Sequence, residues 1–343
     1  MEYTRLNKKN LAVFIDELRS KFEVWGPVKE GEQIKFAPIS NAADIDLDKF
    51  KNTTMSPKEI FFPQSEIMLS FRREGEDANI YRDEQSVPSK KAIIGIRPCD
   101  ARAFRILDMI FKNDQFADNY WLTKRDAVTL VGLGCKEPCG TCFCTSVNSH
   151  PFDETGLDVM VADLGEHYLL KSLTKKGREL LAGSHVLREP SEANIEAYKT
   201  LRKNAEDAMT VQFGNDKVNG KTVLELFNEE YWAKISDPCL NCSTCSYVCP
   251  TCHCFDIQDE VFKGGGERVR NWESCMSWIF TVHATGHNPR PGKKERVRQR
   301  FMHKFKYIPM KRDGEIGCVG CGRCVTMCPV NIDIREVAKQ MNS

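Results

Sequence analysis

Two short cysteine runs constrain this chain more than anything else in its 343 residues. One is Cys239-x2-Cys242-x2-Cys245-x3-Cys249-Pro250; the other is Cys318-x2-Cys321-x2-Cys324-x3-Cys328-Pro329. Both have the spacing of two-cluster bacterial ferredoxins, in which closely spaced thiolates hold one 4Fe–4S cubane and the fourth cysteine of each run reaches the other cluster. The short gaps let thiolates converge while backbone N–H groups turn toward the cluster sulfurs, and the proline redirects the chain. The runs therefore predict cluster A on Cys239, Cys242, Cys245 and Cys328, and cluster B on Cys318, Cys321, Cys324 and Cys249. Gly317, Gly320 and Gly322 permit tight turns around the second run. Residues 251–317 separate the runs, an insert that a compact ferredoxin lacks and that must be a structural element of its own.

The chain has 16 cysteines, and their placement decides between metal and disulfide. One stands at 99, a group at 135–144, and the rest between 239 and 328. A small secreted scaffold would use so many for disulfides, but this chain is too long. Its charged start also leads into no uncharged apolar stretch of the kind a secretory signal needs. Thiols at two- and three-residue gaps suit metal ligation, and structural zinc sites pair two separate knuckles instead. A composition of 41% hydrophobic and 28% charged residues fits an ordinary globular protein with room for more than one domain. The net charge of +1 gives no reason to expect nucleic acid. No apolar run approaches the ~20 residues of a membrane span, so no membrane insertion is expected and the cytoplasm is the expected setting.

Hydrophobic patterning divides the chain. Residues 8–22 predict an amphipathic helix with Leu11, Phe14, Leu18 and Phe22 on one face. Ile60–Pro63 and Ile67–Phe71 predict short strands. Ala92–Ile96 and Ala127–Leu133 read as buried strands flanking a helix over Ala101–Phe111 with Asp100 as its N-cap, which is the βαβ signature of a parallel sheet. A further strand is expected near Leu157–Ala162. Helices are expected over 192–209 and 221–235, with a turn around Gly214, Asn219 and Gly220. The fold class expected is an α/β (or α+β) N-terminal domain, residues 1–225, followed by a mostly α-helical dicluster ferredoxin domain, residues 226–343.

The weaker cysteines carry less. Cys99 and Cys135 each follow directly on a predicted strand, and ligands gather at the carboxyl ends of strands in open α/β sheets. With Cys139, Cys142 and Cys144 they give five candidates for the four positions of a third 4Fe–4S cluster. Cys99, Cys135, Cys142 and Cys144 are favoured, with Cys139 in reserve. Cys252, Cys254 and Cys275 do not complete a four-cysteine site. They stay open between buried thiols and ligands of a fourth or shared cluster, with His253 or His283 able to complete one.

The basic run at 293–312, from Lys293 and Lys294 to Lys311 and Arg312, lacks a nucleic-acid motif. It reads as a solvated helix face or a docking surface for an acidic partner. Basic groups beside a cluster would also offset its negative charge. Gly264–Gly266 reads as a flexible loop, and Trp272 and Trp278 as packing around Cys275. Asp100 and Glu137 have no support for acid–base work, and no catalytic residue is assigned.

Taken together, Arg97-Pro98-Cys99-Asp100, Gly134-Cys135 with Cys142-Phe143-Cys144, Cys249-Pro250-Thr251-Cys252-His253-Cys254, Trp272-x2-Cys275-Met276 and Cys318–Cys324 carry a family resemblance. The chain resembles the iron–sulfur beta subunit of cytosolic NAD(P)-linked nickel–iron hydrogenases, or sulfhydrogenases. It equally resembles the A-type component of anaerobic sulfite reductase. The resemblance spans nearly the whole chain, most sharply 92–144 and 237–337. It implies an electron-transfer subunit of a multi-subunit anaerobic oxidoreductase, placed between a flavoprotein partner of the NAD(P)H type and a catalytic hydrogenase or reductase subunit. The strand–Pro–Cys segment is also weakly similar to the flavin- and iron–sulfur-containing beta subunit of deazaflavin-reducing hydrogenases, but no flavin fingerprint is visible here. The competing expectations are a flavin-binding reductase and a docking adaptor with structural clusters.

Overall fold

The computed structural model describes residues 2–48, 50–74, 77–81 and 88–343. Eleven strands are formed among them: β1 (Tyr3–Asn7), β2 (Glu23–Glu30), β3 (Gln33–Pro38), β4 (Ser65–Glu74), β5 (Asp77–Tyr81), β6 (Lys91–Ile96), β7 (Val128–Leu133), β8 (Val159–Asp163), β9 (His167–Ser172), β10 (Phe255–Phe262) and β11 (Gly265–Trp272). Seven of them make one sheet in the order β1-β9-β8-β7-β6-β2-β3. Its centre, β2-β6-β7-β8, is parallel, and antiparallel strands close both edges. β7 is buried along its whole length and β6 nearly so, as continuous apolar strands covered on both faces must be.

The crossover between β6 and β7 begins with the helix Pro98–Phe111. Its N-cap is Arg97 rather than Asp100, because Pro98 takes the first helical position, where its missing N–H costs nothing. Asp100 is left inside the first turn and fully buried. The N-terminal helix is shorter than expected, Leu11–Arg19, with Phe14, Ile15 and Leu18 facing the core. Ile60 closes a 3-10 turn, Pro57–Ile60, instead of entering a strand. Phe61 and Phe62 then plug an aromatic cluster: Phe61 meets Phe104 edge-on at 4.8 Å, and Phe62 stacks on Trp272 at 5.8 Å. The helix Glu192–Asp207 is closed by a capping box of Ser191 and Asn194. The next long helix is Glu229–Ser236, preceded by a short one at Asp216–Gly220 where a turn was expected.

The cysteine-rich part is helical in most of its regular structure, as expected, but it also carries strands. β10 and β11 form a hairpin within the insert between the two runs, and β11 pairs antiparallel with β4 in a second sheet ordered β10-β11-β4-β5. Gly265 and Gly266 lie in β11 itself. A Cβ on Gly265 would come 2.4 Å from the Phe71 carbonyl oxygen of β4, so their small size permits close strand approach rather than loop flexibility. A second apolar core holds Trp232, Phe301, Met302, Phe305 and Val337, and it takes in Phe143 and Val147 from the other half of the chain. The helix Lys293–Met302 runs through a π turn at His303–Tyr307 into Ile308–Lys311. Single π turns inside helices recur at functional sites, and this one carries Lys304.

Candidate iron–sulfur centres

The two ferredoxin runs share a backbone. In the first, Asn241 and Ser243 take left-handed conformations (φ 54° and 63°), and a short helix, Thr244–Tyr247, carries Cys245. In the second, Gly320 and Gly322 do the same (φ 64° and 74°) before the helix Arg323–Thr326, which carries Cys324. The Asn241 N–H points at Cys239 Sγ at 3.4 Å, the Gly320 N–H at Cys318 Sγ at 3.5 Å and the Ile332 N–H at Cys328 Sγ at 3.2 Å. Such N–H groups suit thiolate sulfur. One pocket is lined by Cys239, Cys242 and Cys245 together with Cys324 and Cys328 of the other run. Cys249 in turn faces Cys318 and Cys321. Both crossed sets expected from the spacing are thus brought together. Cys242 is exposed, whereas Cys249 and Cys318 are buried. Burial pushes the thiols of Cys318 and Cys321 up to about 12 and Cys245 to about 11, so metal binding at these positions must displace protons.

Buried cations show what these sets are built to hold. The expected solvated basic face is only partly solvated, because Arg296, Arg300, Lys304 and Lys306 are buried. Lys304 Nζ lies 3.2 Å from Cys249 Sγ and donates to Thr251 Oγ1 at 2.9 Å and the Gly317 carbonyl at 3.2 Å. Burial works against its charge, but the sulfurs of Cys249, Cys252 and Cys318 outweigh it and hold the pKa above the ordinary lysine value. Arg300 donates to the Cys245 carbonyl at 3.3 Å, and its Nε has no partner. Lys58, from the N-terminal half, donates to the carbonyls of Cys249 and Cys252 at 3.0 and 2.9 Å and sits 4.1 Å from the Trp272 ring centre. Among the described residues, none of these three cations is paired with a carboxylate. An unpaired buried charge costs several kcal/mol, roughly, and an anionic iron–sulfur cluster held by the adjacent thiolates would supply the missing counter-charge. The residues present therefore fit 4Fe–4S clusters. Among the described residues no three His, Cys, Asp or Glu side chains converge tightly enough for a single metal ion.

The N-terminal cysteines meet at the carboxyl ends of β6 and β7, as their strand-end positions implied. Cys135 and Cys142 face Cys99, and Cys139 shares a hydrogen bond with Cys142 that lowers the Cys139 pKa to about 6. Cys139, held in reserve from sequence, thus sits inside this group. Cys144 lies beyond Cys135 toward Asp153, and its thiol is pushed up to about 12 by burial. Arg97 closes the group, donating to the Leu133 and Gly134 carbonyls at 3.1 and 3.2 Å with its Nε unpartnered.

This group abuts the second run. Cys142 Sγ approaches the Cys321 carbonyl at 3.6 Å, and the Phe143 N–H donates to the Gly320 carbonyl at 2.9 Å. Arg323, between Cys321 and Cys324, makes a buried bidentate pair with Asp100, beside Cys99, at 2.6 and 2.8 Å. It also donates to the Thr53 carbonyl and Asn52 Oδ1. Asp100 is therefore a structural anion. Glu137 is exposed and pairs with Lys51 at 3.1 Å.

The last three cysteines lie on the far side of Cys249. Cys252 shares a hydrogen bond with Cys249, and Cys254 with Cys275; the second lowers the Cys275 pKa to about 6. Trp272 packs as expected, but Trp278 is 62% exposed and shields nothing. His253 is half-buried, and desolvation drives its pKa down to about 4; its ring lies 5.7 Å from that of His303. Two features were invisible in the sequence. Lys58 has no local motif, and the Asp100–Arg323 pair spans the two halves of the chain.

Comparison with known proteins fits this geometry. Residues 238–332 match the model of the 4Fe-4S dicluster domain. The chain is 26% identical over 344 aligned residues to sulfhydrogenase 2 subunit beta of Pyrococcus furiosus, covering 99% of this chain and 98% of that one. No solved structure matches the chain. Among the described residues no helix is long and apolar enough to cross a membrane. Similarity along nearly all of both chains, joined to the dicluster-domain match, supports reading this chain as an iron–sulfur beta subunit of the sulfhydrogenase type.

Proposed function

We propose that the chain relays electrons between a flavoprotein of the NAD(P)H type and a catalytic hydrogenase or sulfur- or sulfite-reducing subunit of a cytoplasmic multi-subunit complex. A third 4Fe–4S cluster in residues 1–225 would take part. When bound, 4Fe–4S clusters accept and return single electrons. The chain's own residues hold such groups in a continuous series. Cys99 and Cys142 face Cys321, Cys321 faces Cys324, and Cys324 faces Cys245. Cys242 brings the end of the series to the surface. The observation that carries the proposal is the Asp100–Arg323 pair, which fixes the N-terminal cysteine group against the second ferredoxin run. Four ligands are then drawn from Cys99, Cys135, Cys139, Cys142 and Cys144, with Cys144 at the margin.

The test is iron and acid-labile sulfide per chain on anaerobically purified protein, with and without Cys99→Ala, followed by reductive titration. A loss of about four irons in the variant, while both ferredoxin signals persist, is expected. Unchanged iron in Cys99→Ala would remove the N-terminal group from the path. Clusters that neither dithionite nor a flavoprotein can reduce would end the relay altogether.

A further inference from the structure

We propose that Cys252, Cys254 and Cys275 hold a fourth iron–sulfur cluster, ligated by three cysteines and leaving one iron to a ligand other than cysteine. These are the cysteines that neither the ferredoxin runs nor the N-terminal group uses. The fold gathers them from separate elements. Cys252 and Cys254 lie between the first run and β10, and Cys275 follows β11, so the β10–β11 hairpin returns the chain to them. The Glu273 N–H donates to the Cys254 carbonyl at 3.0 Å, closing the base of the hairpin. The Cys254 and Cys275 thiols are within hydrogen-bond reach, and Cys252 faces Cys275.

Charge distinguishes this group from a cluster of inert thiols. Lys304 faces all three sulfurs, Arg300 faces Cys252 and Cys275, and Lys58 donates to the Cys252 carbonyl from behind. Cations packed against neutral thiols would have no counter-charge on this side, and a disulfide of Cys254 and Cys275 supplies none. The thiols do not converge on a point where one ion could sit, and neither do the eight cysteines of the ferredoxin runs. Ligands brought together from separate elements beside buried cations suit the corners of a cluster. Cys249 is shared by contact with both sides, but it also faces Cys318 and Cys321 and completes their set. That leaves three thiolates here. The inference rests on Cys249 serving the second run, as in the relay proposed above.

The experiment is native mass spectrometry of the full chain purified without oxygen, compared with Cys254→Ser/Cys275→Ser and, separately, Cys99→Ala. The expected result is a loss of one cluster's iron and sulfide in the double variant, with both ferredoxin electron paramagnetic resonance signals retained. Mild ferricyanide oxidation should also release one iron from the unaltered chain and give a 3Fe–4S signal that the double variant lacks, because an iron without a cysteine leaves first. Equal iron in the two folded proteins overturns the proposal. If the double variant does not fold, the unaltered chain decides. About sixteen irons, with Cys99→Ala retaining about twelve, support the fourth cluster, and about twelve falling to about eight overturn it. If Cys99→Ala changes nothing while the double variant loses a cluster, the N-terminal assignment fails and this one stands.

Discussion

The two ferredoxin loops trace one backbone with different side chains, and the difference follows from what lies outside each. Both need left-handed residues two and four positions after their first cysteine. The first loop fills them with Asn241 and Ser243, the second with Gly320 and Gly322. The first loop faces solvent: Leu240 is 65% exposed and Cys242 is exposed. The second is pressed against residues 141–144, where a Cβ on Gly320 would sit 2.5 Å from the Cys144 nitrogen and one on Gly322 2.8 Å from the Thr141 carbonyl carbon. The same loop backbone therefore serves a terminal position in one case and an internal junction in the other. The glycines of the second run answer a docking requirement more than a turn requirement.

The comparison breaks most severely at the cysteines. Cys321→Ala should cost cluster B and loosen the N-terminal group, since Cys321 touches both. Cys242→Ala should cost or degrade only cluster A, because its thiol lies at the surface. Iron content, together with limited proteolysis between residues 210 and 230, checks this. Equal damage from both variants would contradict the distinction between junction and terminus. Next in size is Asp100→Ala, which leaves Arg323 buried and uncompensated at a cost of about 3–5 kcal/mol. Anaerobic melting followed by visible cluster absorbance should show an earlier loss of colour than in the unaltered chain, with Asn giving a smaller effect than Ala.

What the sequence made legible was local. Cysteine spacing, the β6–helix–β7 unit and the amphipathic face at Phe14 and Leu18 are written in neighbouring residues, and the structure carries them. The expected mostly helical second half is interrupted at Phe255–Trp272, where tertiary pairing with β4 turned a glycine-rich stretch into a hairpin. The basic run was misassigned for a related reason: charge alone suggests solvent. Yet Arg296, Arg300 and Lys304 recur every four residues, one helix face, and that spacing beside a cysteine-rich motif was the signal that could have turned them inward. Asp100 with Arg323, and Lys58 with Cys249, join residues too far apart in sequence for any pattern to reveal.

A smaller effect separates the loops by their glycines. Gly320→Ala adds the roughly 1–2 kcal/mol cost of a left-handed non-glycine residue to a collision with backbone that cannot rotate away. It should weaken the junction and lower the cluster-melting temperature, whereas Ser243→Ala, at a position already left-handed whose side chain makes no capping hydrogen bond, should change it little.

The finest test exchanges the loops' own residues. Asn241→Gly relieves a left-handed asparagine but gives the unfolded chain more freedom, and these terms, each on the order of 0.5–1 kcal/mol, nearly cancel. The N–H that points at Cys239 Sγ is retained, so iron content and melting should stay within error of the unaltered chain. The reverse exchange, Gly322→Ser, puts the residue type that Ser243 shows to be compatible with the backbone into a place where Thr141 leaves no room. It should lower the melting temperature while leaving cluster A untouched. If both exchanges are tolerated, the second loop is not held against residues 141–144 in solution, and the series of facing cysteines from Cys99 to Cys245 loses its rigid joint. If only the first is tolerated, the difference between the loops comes from the junction, because the backbone they share cannot account for it.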